Sequence, residues 1–344
     1  MTKTYEFGMD TFGDVTRDAD GNLLHQAQVI RNILDEAILA DESGVDFIGV
    51  GEHHRDDFAI SAPEVVLAGI ATRTKRVRLG SAVTVLSSDD PIRVFQRFST
   101  VDALSTGRAE VILGRGSFTE SFPLFGYDLN DYEKLFNEKL DLFAALLKNG
   151  PISWKGEYRP PLDGKVIYPP IENGRLKAWI GVGGSPESVV RSVRYQIPMT
   201  LAIIGGDPKR FLPYVDLYKR AQDQLGVAEK MPLGVHSPGH IADTDEQAQE
   251  ELWPGYKALH DRIGRERGWG PTTKESFVNE IRHGSTYAGS PETVAKKIAA
   301  TVKALGADRF DMKYSGGTLG HEKMMRSIEL YGTRVIPMVR DLLA

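Results

Sequence analysis

The sequence predicts an α/β chain of the (β/α)8, or TIM, barrel class with loop insertions, read as a single domain over residues 1–344. Three observations carry this. The chain has 344 residues, long for an average domain but ordinary for one barrel of about 250 residues enlarged by insertions. Short β-branched runs alternate with helical stretches eight times over. No G-x-G-x-x-G follows the first strand, which weakens the alternative of a doubly wound open sheet.

The elements follow in order. Tyr5–Met9 reads as the first strand and Gln26–Ser43 as the first helix, with Val29, Ile30, Ile33, Leu34, Ala37 and Ile38 at helical spacing and Gly44 at its end. Strand and helix then alternate through Asp46–Gly51, Pro63–Thr72, Val77–Leu86, Ile92–Leu104, Arg108–Leu113 and Leu135–Lys148. The second half repeats the pattern: Ala178–Gly183, Pro186–Tyr195, Pro198–Ile204, Pro208–Leu225, Leu233–Ala242, a helical region from Asp245 that continues to Pro291–Leu305, then Arg309–Tyr314 and a largely helical His321–Leu343. The strands are short and apolar, as parallel strands buried on both faces must be. Three intervals exceed simple connections: Ser117–Tyr132 with Phe118, Phe122 and Phe125; the Pro- and Gly-rich Asn149–Arg175; and Gly264–Gly289, whose glycines predict a mobile lid.

Composition narrows the function. Lys and Arg total 42 against 47 Asp and Glu, a formal charge of −5, which argues against a nucleic-acid partner because phosphate binding needs a basic footprint. Cysteine is absent, so disulfides, thiolate metal sites and cysteine nucleophiles are excluded. The amino-terminal residues contain no apolar signal-like run, and apolar stretches break within about ten residues, short of the roughly 20 that span a membrane. The expectation is a cytoplasmic protein with no membrane partner.

Four stretches could carry chemistry. Glu52-His53-His54 ends the second strand, and side chains at the carboxyl ends of barrel strands face the active-site mouth. Neighbouring strand residues face opposite sides, so only one histidine enters such a site, and no metal site is read. The plain alternative is that the histidines make structural hydrogen bonds. Arg115, in Leu113-Gly114-Arg115-Gly116, offers a guanidinium fork for a phosphate or carboxylate, or else a rim salt bridge. Gly183-Gly184-Ser185-Pro186 opens a helix whose free N–H groups suit an anion, or is an ordinary N-cap. Its hexapeptide Gly184-Ser185-Pro186-Glu187-Ser188-Val189 has a twin, Gly289-Ser290-Pro291-Glu292-Thr293-Val294, that competes for the same role. Asp102 and Arg108, on the connection entering the fourth strand, belong to the barrel's bottom face and read as structural.

Glu52-His53-His54, the Asp102-Ala103-Leu104-Ser105-Thr106-Gly107-Arg108 run, Leu113-Gly114-Arg115-Gly116 and the aromatic stretch to Phe125-Gly126, in this order, make the chain resemble the bacterial luciferase-like flavin-dependent monooxygenases. The resemblance covers nearly the whole chain. It implies a barrel holding non-covalent reduced FMN at its mouth, the flavin coming from a separate reductase, and O2 as co-substrate for oxygenating a small organic molecule. It implies His53 as the catalytic histidine, Arg115 and Gly183-Gly184-Ser185 as phosphate ligands, and Ala82-Val83 as a non-prolyl cis peptide beneath the flavin ring. It implies a homodimer through the Pro63–Thr72 and Ile92–Leu104 helices, where Ala68, Gly69 and Ala71 would permit close approach. Two positions depart from the family pattern: Gly114 stands where the luciferase subunits have cysteine, and Glu133 where they have a second phosphate-binding arginine. Deazaflavin F420-dependent hydride transfer in the same superfamily, and flavin binding without turnover, are the alternatives.

Overall fold

The computed structural model describes residues 4–18, 20–172 and 174–344. Eight parallel strands, β1 (Glu6–Thr11), β2 (Phe47–Val50), β3 (Arg78–Val85), β4 (Ala109–Gly114), β5 (Lys177–Val182), β6 (Met199–Ala202), β7 (Leu233–Ile241) and β8 (Arg309–Lys313), pair in sequence order. The ring closes where β1 meets β8, with Glu6 opposite Arg309 and Asp10 opposite Lys313. The expected cyclic barrel is therefore what forms.

Outside the strands, among the described residues, pack the helices α1 (Gln26–Ser43), α2 (Pro63–Ala71), α3 (Pro91–Ser105), α4 (Tyr132–Leu146), α5 (Pro186–Arg194), α6 (Leu212–Gln224), α7 (Pro291–Leu305) and α8 (His321–Leu330), with Ile336–Leu343 closing the chain. Their ends follow from local chemistry. α1 stops at Gly44, whose φ of 86° is left-handed. α3 begins at Pro91 behind Asp90, whose carboxylate accepts from the Ile92 and Arg93 N–H groups. At the bottom of the barrel, Arg108 donates to the carbonyls of Ala71, Thr74 and Val77, the structural role its position predicts. On α2 two of the three small residues expected to admit a partner helix face their own subunit. Ala71 is buried, and a β-carbon on Gly69 would lie 3.2 Å from Leu34 of α1, so these two serve packing within the subunit.

The inside of the barrel is layered. Arg309 is fully buried; its Nε donates to Asp311 at 2.8 and 2.9 Å and its Nη1 to Glu110 at 2.8 Å. Burial pushes the Glu110 pKa up, but Arg309, Lys177 and Arg78 outweigh it and hold the carboxyl at about 2. The Arg309 guanidinium lies 3.8 Å from the centre of the Phe47 ring and 5.2 Å from that of Trp179. Phe47, Ile112 and Trp179 form an apolar layer shared with Ala82 and Val83. A rigid ionic and aromatic plug thus supports the upper ends of β2, β3 and β4.

Two insertions are more ordered than their composition predicts. The 149–175 excursion holds an antiparallel pair, Ile152–Trp154 with Leu162–Lys165. Between β7 and α7 run a long helix, Asp245–Arg267, and a second, Lys274–His283. Phe277 and Ile281 are buried against Leu252 and Ala288, and His240 Nε2 of β7 lies 2.8 Å from Glu251 Oε2. The lid expected over 264–289 is thus largely a packed helical unit. Its apolar positions, not its glycines, decide the outcome.

Candidate active site

Glu52, His53 and His54 follow β2 after Gly51. Glu52 is the organiser. Its N–H donates to the Val83 carbonyl at 3.0 Å, one carboxylate oxygen accepts from the Val85 N–H at 2.8 Å, and the other lies 2.9 Å from His54 Nε2. His54 is thereby tied down, with Phe125 edge-on at 5.1 Å. His53 turns into a different environment. Its ring lies 4.5 Å from Phe58, 4.6 Å from Phe12 and 5.2 Å from Phe118 between centres. Among the described residues no hydrogen bond engages its ring nitrogens. Burial pushes its pKa down to about 3, with Asp14 opposing and Lys313, Arg55 and His54 adding. The imidazole is therefore neutral at ordinary pH and presents one donor and one acceptor. The two histidines diverge, but both lie past the end of β2 and outside any strand, so their different partners and not strand alternation set them apart; the role of Glu52 was not legible, because a carboxylate pinning a neighbouring strand leaves no local pattern.

The Ala82–Val83 peptide is cis, as the resemblance implied. Here β3 shifts register against β4: Ala82 faces Ile112, and Thr84, not Val83, faces Leu113. Val83 projects toward its neighbours, and a β-carbon on Gly114 would lie 2.5 Å from Val83 Cγ2. That explains one departure from the family pattern, since beside this valine position 114 has no room for a side chain.

Arg115 leaves the end of β4 and pairs through Nη1 with Glu133 Oε1 of α4. The other Glu133 oxygen lies 3.3 Å from Nη2 of Arg191, on α5. Burial lowers the Arg191 pKa, Glu133 raises it, and nearby Arg115 lowers it again. Sequence reasoning did not find Arg191, which lies outside any motif and reaches the rim only through the α5 geometry. Ser185 caps α5: its Oγ accepts from the Ser188 N–H at 3.2 Å and donates to Ser188 Oγ at 2.8 Å. Gly184, at φ 104°, makes the turn, and a β-carbon on Gly183 would meet nothing within 4 Å. The space beside Gly183 is open, whereas a β-carbon on Gly184 would lie 3.4 Å from the Phe211 ring, and Arg115 and Arg191 meet at Glu133.

The twin helix start is closed. Asp245 accepts from the Ser290 N–H at 2.6 Å and from Thr293 Oγ1 at 2.9 Å, and its carboxylate oxygen lies 2.7 Å from where a β-carbon on Gly289 would stand. The first residue of the Asp245–Arg267 helix already fills that anion site, which leaves α5 as the available one.

Further polar groups enter the mouth. His236 of β7 sets Nε2 3.0–3.1 Å from the Asp10 carboxylate. Burial lowers its pKa, but Asp10 outweighs this and raises it. Lys313 Nζ donates to Asp14 at 2.9 Å and lies 4.7 Å from the Phe12 ring centre. The roof is ionic and aromatic. Arg55 donates to Asp57, Glu120 and Glu266, and its guanidinium sits 4.5 Å over Phe118. It joins the loops after β2 and β4 to the long insertion helix. Of the three phenylalanines in the Ser117–Tyr132 interval, Phe118 joins His53, Phe122 is buried against Tyr132, and Phe125 is exposed beside His54. Among the described residues no group of three His, Asp or Glu is arranged to hold a metal ion, and no helix is long and apolar enough to cross a membrane.

The neutral His53 imidazole, Arg115 and the Gly183-Gly184-Ser185 turn all follow the carboxyl ends of β2, β4 and β5. The family model for luciferase-like monooxygenases matches residues 11–309, and the chain belongs to that family; it is by class an oxidoreductase of the flavin-dependent monooxygenase type. It is 25% identical over 319 residues to 4-hydroxyprotoasukamycin monooxygenase of Streptomyces nodosus subsp. asukaensis, covering 88% of this chain and 85% of that one. The fold is shared with the FMN complex of the oxygenating constituent of 3,6-diketocamphane monooxygenase from Pseudomonas putida (TM-score 0.77, 18% identity, 97% of this chain and 98% of that one). It is shared equally with an F420-dependent secondary alcohol dehydrogenase (TM-score 0.76, 17% identity, 98% of this chain and 100% of that one).

Proposed function

We propose that the protein is an FMN-dependent monooxygenase that receives reduced flavin from a separate reductase and uses O2 to oxygenate a small organic substrate. The observation that carries this is the open α5 start beside Arg115, on the same mouth as Ala82–Val83 and His53. The donor set fits a phosphate ester: a guanidinium, a capped helix N-terminus and a glycine turn that is open at Gly183. Bound reduced FMN supplies the electrons that activate O2. The chain's own residues do the rest. Arg115 and the Gly183-Gly184-Ser185 turn hold the phosphate, Ala82 and Val83 form the wall against the ring, and the roof through Arg55 and Phe118 excludes water. His53, neutral and with no hydrogen bond to its ring nitrogens among the described residues, exchanges a hydrogen bond or a proton with the group above it.

The F420-dependent reading rests on the second structural neighbour. Equilibrium titration with FMN and F420 side by side separates the two. The account expects FMN to bind more tightly, and saturable F420 binding without FMN binding overturns it. Single-residue variants then assign roles. Arg115→Ala should raise the FMN Kd about tenfold or more, the cost of a charged hydrogen bond. His53→Ala should leave Kd nearly unchanged and slow reoxidation of the reduced complex by O2, or product formation, about a hundredfold. Reoxidation at the rate of free reduced FMN in the wild type would identify a flavin carrier. We also propose a homodimer through the α2–α3 face, where Val65 is 71% exposed; a monomer in sedimentation at micromolar concentration would contradict it.

A further inference from the structure

The second departure from the family pattern has its own geometry. Glu133 places one oxygen on Arg115, from the end of β4, and the other on Arg191, from α5. Two guanidinium groups from different elements thus converge on a single anionic group next to the α5 start. Arg191 is mostly buried at 12% side-chain exposure, whereas Glu133 is 51% exposed. Among the described residues the Glu133 carboxylate has no other hydrogen-bond partner, so its return to water breaks these two contacts alone. The contrast with the twin site is direct. There Asp245 is fixed on the helix start itself by Ser290 and Thr293. At α5 the helix start is open, and the carboxylate sits on the arginines instead.

We propose that Arg115 and Arg191 together form a clamp for a phosphate monoester, and that Glu133 is its intramolecular occupant, which the ligand must displace. This rests on the flavin-phosphate reading above. A phosphate monoester carries more charge than a carboxylate and offers three oxygens to the two forks. It takes the arginines while Glu133 swings to solvent. Arg191 supplies the second cation from α5. Glu133 keeps the two like charges apart from each other's field when no ligand is bound, and it lowers affinity for the phosphate. The result is a site built for exchange of its ligand, in keeping with a cofactor delivered by another protein.

The test compares FMN with riboflavin, which lacks the phosphate, by fluorescence titration of the full chain and of Arg191→Ala and Glu133→Gln. Riboflavin affinity should be the same in all three. FMN should bind about tenfold more weakly to Arg191→Ala and several-fold more tightly to Glu133→Gln. Wild-type FMN affinity in Arg191→Ala, or unchanged or weaker binding in Glu133→Gln, overturns the proposal while leaving the flavin reading intact. If neither flavin binds, that reading fails, and inorganic phosphate decides the clamp. Thermal protection of the wild type that is reduced in Arg191→Ala supports it, and equal protection or none overturns it.

Discussion

The Val83 side chain occupies the volume that a β-carbon on Gly114 would need, its Cγ2 lying 2.5 Å from that position. The neighbour is β-branched and held in the inner barrel layer, so it cannot turn aside. Gly114→Ala should therefore destabilise the fold by about 1–3 kcal/mol, the cost of overpacking a filled core. Val83→Ala added to it should restore most of the loss. Denaturant midpoints check this, and a neutral Gly114→Ala would show that the wall beneath the site can yield.

Arg309 holds two carboxylates in the barrel interior. Arg309→Met leaves Asp311 buried without its cation, and loss of one partner of such a group costs about 3–5 kcal/mol. Chemical denaturation should show that loss. A cost below about 1 kcal/mol would mean water or protonation relieves the carboxylates inside the fold.

His53 links stability to pH. Its folded pKa is depressed to about 3, while the unfolded side chain takes up a proton near 6.5. Below about 6.5 the unfolded chain binds the proton and the folded chain does not, so stability falls as pH falls, by roughly 1.4 kcal/mol per unit. His53→Phe keeps an aromatic ring in place and removes the titration. Between pH 7 and pH 5 the wild type should lose about 1–2 kcal/mol more than the variant, measured by urea unfolding. Equal slopes would show that His53 titrates near its ordinary value within the fold.

Arg55 is 7% exposed and joins Glu120 and Glu266 across the roof. Arg55→Ala should raise amide hydrogen exchange in residues 262–270 about tenfold or more, with little change in Tm, because the opening is local. Unchanged exchange there would mean the packed Phe277–Leu252 contact alone holds the roof.

Much of this was legible in the chain. The eight strands, the cap at Ser185 and the bottom-face role of Arg108 rest on local periodicity and capping chemistry, which act within a few residues. What was illegible depends on distant partners. The two hexapeptides at 184 and 289 are nearly alike in sequence, yet Asp245 closes one, and nothing near Gly289 records that. Arg191 has no motif; its place beside Arg115 is set by how α5 packs. The glycines of 264–289 read as hinges, but Phe277 and Ile281 packing on Leu252 decided the outcome.

The most direct test is a crystal structure of the protein with FMN. The account predicts the phosphate within hydrogen-bond reach of Arg115 and the Ser185 turn, with the isoalloxazine ring against Ala82–Val83 and His53 at its edge. Flavin bound with its phosphate away from Arg115, or with its ring outside the mouth formed by β2, β3 and β4, would contradict it.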